Sequence, residues 1–112
     1  MASSRLGEKA RQLILDQDNE ILMSAASWWE LSLKRVLNTL DADLEKTRHT
    51  LEARGVATIS VTVEHAEASA RLPLMHRDPF DHMLVAQAIA ENCRLLTRDR
   101  KLAPYGSAVL LV

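Results

Sequence analysis

Four acids in this chain stand where a helix should begin or a strand should end. They are Glu30 in "SWWELSLKR", Asp78 and Asp81 in "RDPFDHML", and Asp99 in "LLTRDRKLA". Three carboxylates held within a few ångströms would repel by several kcal/mol at an effective dielectric near ~20. A divalent cation relieves that repulsion, and hard oxygen donors of this kind suit Mg²⁺ or Mn²⁺. Such an ion can polarise a phosphodiester and lower the pKa of an attacking water. If Glu30, Asp81 and Asp99 converge, metal-assisted phosphodiester hydrolysis is the chemistry they would perform.

Each acid also has an ordinary structural account. Asp78 followed by Pro79 is a helix start, with a capping side chain and then proline at the first helical position. Asp81 then falls at the third position, where a negative charge meets the positive end of the helix dipole. Ser27 and Glu30 fit the S-x-x-E capping box. Asp99 can turn the chain after "LLT" and cap the short "RKLA" segment. Thr97 adds a hydroxyl at the same strand end. Arg77, Arg98, Arg100 and Lys101 flank these acids and could hold phosphates, or could be plain solvated surface.

Other constellations are poorer. His49, His65, His76 and His82 show no paired ligand spacing, which argues against zinc. With only three glycines there is no glycine-rich phosphate loop. Cys93, alone in the chain, is expected to be a small buried hydrophobe, and a lone cysteine suits a reducing compartment. Trp28 and Trp29 could stack on bases, but at a helix start at least one is expected in a core or an interface.

The elements that must position these residues follow from periodicity. Residues 5–16 place Leu6, Ala10, Leu13 and Ile14 on one helical face. The "EILMS" run (20–24) reads as a strand, 26–37 as a helix, and 40–55 as a more polar helix closed by Gly55. "ATISV" (57–61) alternates and is β-branched, the mark of a strand. Thr62 can cap a helix through "VEHAEASARL", and Pro79 opens another that runs to about Asn92. "RLLT" (94–97) and "AVLLV" (108–112) are strands joined by a turn. Alternating helices and short apolar strands argue for one α/β domain, 1–112, built on a parallel sheet. In such sheets ligands gather at the carboxyl ends of the strands. Those ends lie just after Ser24, Val61, Thr97 and Val112, and acids follow two of them.

Composition sets the bounds. The 112 residues are 47% hydrophobic and 26% charged, ordinary for a globular domain. A formal net charge of −1 gives no bulk attraction to nucleic acid, so any such contact would need a local basic rim. No run approaches the ~20 apolar residues needed to cross a bilayer, and "MASSRLGEKARQ" has no apolar signal core. A cytoplasmic location is the expectation.

The segments "SAASWWELSLKR", "LPLMHRDPFDHMLVAQAIAE" and "RLLTRDRKLAPYG" resemble PIN domains, specifically the toxin ribonucleases of bacterial VapC-type toxin–antitoxin pairs. The resemblance runs in order from Leu6 to Val112. It implies a three-layer α/β/α sandwich that cleaves RNA with Mg²⁺ or Mn²⁺ held by acids. By motif, Glu30 is the acid of the W-E helix, Asp81 that of the D-P-F-D helix, and Asp99 that after the fourth strand. Asp78 and Thr97 lie near the site, and Arg77, Arg98 and Arg100 are placed to contact RNA. Where the family commonly has arginine after D-P-F-D, this chain has His82, which should weaken phosphate contact.

The departure is at the N-terminus. Family members open with a strand ending in aspartate, central in the sheet, and the chain starts after the point where it would stand. "LILD" (13–16) is a poor substitute, because it continues an amphipathic helix. Two interior strand edges would then lie open. Five unsatisfied backbone groups at ~1–3 kcal/mol each would cost on the order of 5–15 kcal/mol, as much as the net stability of a domain. Pairing of the flanking strands, a strand exchanged in a homodimer, or a partner peptide would compensate, and exchange is the favoured expectation. A start codon assigned too far downstream is another account. Functionally, the resemblance implies an endoribonuclease partnered by an antitoxin, impaired by loss of one acidic ligand. The alternative is an inactive module that binds an antitoxin or RNA.

Overall fold

The computed structural model describes residues 7–74 and 77–112. Leu6 and His76, both used in the readings above, lie outside the described residues. Element order is α1 (Gly7–Leu15), β1 (Leu22–Ser24), α2 (Ala25–Val36), α3 (Leu44–Ala53), β2 (Ala57–Ile59), α4 (Val63–Arg71), α5 (Pro79–Ala90), β3 (Leu95–Thr97), a 3₁₀ helix (Arg100–Tyr105) and β4 (Val109–Leu111). Every expected helix and strand is present, usually shorter by a residue or more at one or both ends. The mixture of helices and short parallel strands is compatible with a PIN-like α/β/α fold.

The chain forms two compact units, one of Glu20–Val61 and one of the remaining residues. In the first, β1 and β2 pair in parallel with Leu22 opposite Ala57 and Ser24 opposite Ile59. Ser24 ends β1 and caps α2 at once: its hydroxyl accepts from the Ala26 N–H at 3.0 Å. The cap at Ser24 corrects the expected Ser27–Glu30 capping box, because a helix already under way at Ala25 leaves Glu30 six residues in. Asp43 starts α3 by accepting from the Lys46 N–H at 3.0 Å, so the helix begins later than the expected residue 40. Its end is as expected from glycine, with Gly55 in the left-handed region (φ 93°) and Val56 N–H reaching back to the Leu51 carbonyl at 3.0 Å.

In the second unit β3 and β4 pair in parallel, Leu95 opposite Val109 and Thr97 opposite Leu111. Among the described residues the strands make two two-stranded parallel ladders, one in each unit. Helices α4 and α5 pack together, and α5 also contacts β3. Most of the buried apolar side chains are here: Val85, Ala86 and Ala88 of α5, with Ala10 and Leu102. Helix α5 therefore carries Asp81 on a well-anchored element. Asparagine does at Asn92 what glycine does at Gly55: its φ of 54° lets the Cys93 N–H reach the Ala88 carbonyl at 2.9 Å. Asn38 (φ 59°) closes α2 the same way, with Thr39 N–H bonded to the Lys34 carbonyl at 2.9 Å. Cys93 is half-buried rather than buried, a correction that follows from its place just beyond this turn.

Candidate active site

The start of α5 is built as its sequence implies. One carboxylate oxygen of Asp78, Oδ1, accepts from the N–H groups of Phe80 at 2.9 Å and Asp81 at 3.4 Å. Proline at the next position brings no amide to satisfy and a backbone angle already suited to the helix. Asp81 follows at the third helical position, half-buried, where the aligned peptide dipoles favour its negative charge.

A second cluster stands at the end of β3. The Thr97 hydroxyl accepts from the Asp99 N–H at 3.0 Å, which turns the chain out of the strand. Asp99 then caps the 3₁₀ helix, its Oδ1 accepting from the Lys101 N–H at 3.0 Å. Arg77, Arg98, Arg100 and Lys101 are all exposed, as phosphate contacts would require. Glu30 is half-buried on α2, in the other unit.

The structure thus brings Asp78 beside the Asp81 backbone and Thr97 beside that of Asp99. Among the described residues, no three Asp, Glu, His or Cys side chains form a group able to hold a metal ion. Carboxylate oxygens are the right donors for Mg²⁺ or Mn²⁺, but no such group is assembled.

His82 takes a role that its sequence context does not announce. Its Nε2 lies 2.7 Å from the Ser69 carbonyl, an acceptor only, so Nε2 carries the proton. In the neutral ring Nδ1 then accepts from the Tyr105 hydroxyl at 3.3 Å. The rings meet edge-on, 6.2 Å between centroids and 70° between planes. His82 ties α5 to α4 and to the 3₁₀ helix. Both ring nitrogens are engaged within the protein, which accounts for a histidine here without any phosphate contact.

His65 is the other residue that spacing does not reveal. It is 3% exposed, and its Nδ1 accepts from the Thr62 backbone N–H at 3.0 Å. The Thr62 hydroxyl accepts from the His65 N–H at 3.2 Å, so threonine and histidine form the capping box usually made with glutamate or glutamine. Beside this helix pair an open groove of about 290 Å³ is lined by Ala68, Leu72, Ala86, Ile89 and Ala90, with Arg71 at its rim. Only the small side chains of α4 and α5 signalled it.

The chain matches the PIN domain family over residues 1–106. It belongs to that family. The match runs across both units and includes Glu30, Asp78, Asp81, Thr97 and Asp99. No curated protein and no solved structure matches the chain. PIN domains are in general divalent-metal-dependent nucleases, and this coarse reading holds for the family to which the chain belongs. Among the described residues no helix is long and apolar enough to cross a membrane.

Proposed function

We propose that this PIN domain descends from the toxin ribonucleases of VapC-type toxin–antitoxin pairs, with single-stranded RNA as substrate class and an antitoxin protein as partner. One observation carries the reading. Asp81 of the D-P-F-D helix sits on the best-buried helix of the fold, just after a cap that another aspartate already supplies. In this reading Glu30, Asp81 and Asp99 are the acids that take Mg²⁺ or Mn²⁺ and activate water. Arg77, Arg98 and Arg100 meet the RNA backbone, and Asp78 and Thr97 hold the local geometry. A cytoplasmic location goes with such a substrate.

A second reading has its own support. Asp78 and Asp99 both serve as caps, and His82 is engaged by Ser69 and Tyr105. That pattern also suits a PIN module that grips an antitoxin or RNA without cutting it. One experiment separates the two. RNA is incubated with the protein in Mg²⁺ or Mn²⁺, beside Asp81→Asn. If the enzyme reading holds, cleavage falls by at least about a hundredfold in the variant, as losing a metal ligand should cause. Equal background in both proteins, with RNA retained in a filter-binding assay, refutes the enzyme and supports the binder.

A further inference from the structure

The buried residues of α5 begin at Val85, four positions after Asp81. The turn that carries Asp81, residues 79–82, therefore precedes the part of the helix that the core grips. Helix ends open more readily than helix middles, and the Asp81 N–H reaches the Asp78 carboxylate at a long 3.4 Å. His82 closes this turn. Its ring meets the Ser69 carbonyl of α4 at 2.7 Å on one side and the Tyr105 hydroxyl at 3.3 Å on the other. Tyr105 ends the 3₁₀ helix that Asp99 caps, and Leu102 within that helix is 1% exposed. Leu102 fixes the short helix near its middle, and the Tyr105 hydroxyl fixes its end. Ser69, His82 and Tyr105 all belong to one compact unit.

Imidazole suits this bridge by its own chemistry. A neutral ring presents one donor and one acceptor on a rigid frame, here to a carbonyl and a hydroxyl at once. Alanine offers neither, and lysine or arginine has no acceptor for the hydroxyl proton. We propose that His82 is a positioning residue: its imidazole clamps the first turn of α5 between α4 and the 3₁₀ helix. The clamp fixes Asp81 relative to the segment that Asp99 begins. His82 touches neither substrate nor reacting atoms in this scheme and acts through Asp81. Its kinetic consequence rests on the nuclease reading; the clamp itself does not. A displacement of about 1 Å in a catalytic group can cost on the order of a hundredfold in rate. A loosened first turn should therefore lower turnover rather than RNA affinity.

The test uses the full chain beside His82→Ala, His82→Gln and Tyr105→Phe. Amide hydrogen exchange followed by NMR reads the clamp directly. In His82→Ala the amides of Asp81 and residue 82 should exchange about tenfold faster or more, beyond any change at Val85, Ala86, Gln87 and Ala88. Glutamine also carries a donor and an acceptor, so His82→Gln should return most of that protection. Tyr105→Phe deletes one hydroxyl and should loosen the turn by a smaller factor. It decides the matter if circular dichroism shows His82→Ala unfolded. RNA cleavage in Mg²⁺ or Mn²⁺ is then measured for the same proteins. Turnover should fall at least about tenfold in His82→Ala with KM within about twofold, and recover in His82→Gln. Unchanged exchange at Asp81 and residue 82 overturns the proposal. Faster exchange with unchanged turnover overturns it too, because the clamp would then serve stability alone. A raised KM with turnover intact would make His82 an RNA contact instead. Absence of cleavage in the unsubstituted chain refutes the nuclease reading and the kinetic half with it, while the exchange comparison still decides the clamp.

Discussion

Replacing His65 by alanine should cost this small protein about 3 kcal/mol, although histidine is seldom counted as a core residue. The imidazole side chain is 4% exposed and makes three polar contacts: Thr62 N–H at 3.0 Å, Glu91 Oε1 at 3.2 Å and Gln87 Nε2 at 3.3 Å. A backbone N–H can only donate, so Nδ1 is bare and Nε2–H donates to Glu91. The ring closes the start of α4 and fastens it to the end of α5. Alanine removes the reciprocal half of the capping box, about 1 kcal/mol. It also removes the contact of the buried Gln87 amide with Nδ1, at about 1 kcal/mol. The lost burial and the hollow left behind add at least about 1 kcal/mol.

Glutamine separates these contributions. Its side-chain oxygen at the third helical position can still accept from the Thr62 N–H, the usual form of the box. His65→Gln should therefore lose about half as much as His65→Ala. Urea denaturation followed by circular dichroism measures both, with the slope against denaturant checked for constancy. In a double-mutant cycle with Thr62→Ala, the two losses should fail to add by at least about 0.5 kcal/mol, because both partners belong to one cap. A loss below about 1 kcal/mol in His65→Ala would refute this account. Glutamine no better than alanine would refute the capping part while leaving the packing part standing.

Three further outcomes follow from the same fold. Leu102, 1% exposed and among the largest fully buried side chains, should cost about 2–4 kcal/mol as Leu102→Ala, seen as a lower urea midpoint. Asn92→Ala should lose about 1 kcal/mol in the same assay, because a φ of 54° suits asparagine or glycine; Asn92→Gly should be neutral or better. Asp78→Ala should lose about 1 kcal/mol while Asp78→Ser loses little, since a hydroxyl also accepts from the first free amides of α5.

Most of the fold was legible in the sequence because its signals are local. Strand β2 declared itself by β-branched alternation, α5 by Asp78–Pro79, the end of α3 by Gly55 and the start of α4 by Thr62. The starts of helices were harder to place. Ser24 and Ser27 are equally good caps for α2 on paper, and only the position of β1 decides that Ser24 wins. Asn38 and Asn92 went unread as helix stops because asparagine takes the left-handed region only when the next turn rewards it. The roles of His65 and His82 were illegible for a different reason. Their partners, Glu91 and Tyr105, lie 26 and 23 residues away, and no short-range pattern carries such a pairing. The candidate acids were found by type and by place along the chain, whereas their convergence is a long-range matter that the described residues do not show as a formed metal group.

The acids differ in how much of their presence the fold explains. Asp99 caps the 3₁₀ helix itself, so an aspartate there has a sufficient structural cause. Asp78 is likewise accounted for by the two amides it accepts from. Asp81 is not needed for that cap, since Asp78 already receives the amides of Phe80 and Asp81. What the helix dipole adds at its position is only about 0.3–1 kcal/mol. Glu30 has lost its capping role altogether, because α2 starts at Ala25 under Ser24. Under the proposed nuclease reading, Glu30 and Asp81 are therefore the acids that helix capping does not explain. If the proposed nuclease reading holds, substitution at these two positions should lower cleavage with little loss of stability, whereas substitution at Asp78 or Asp99 should disturb both together.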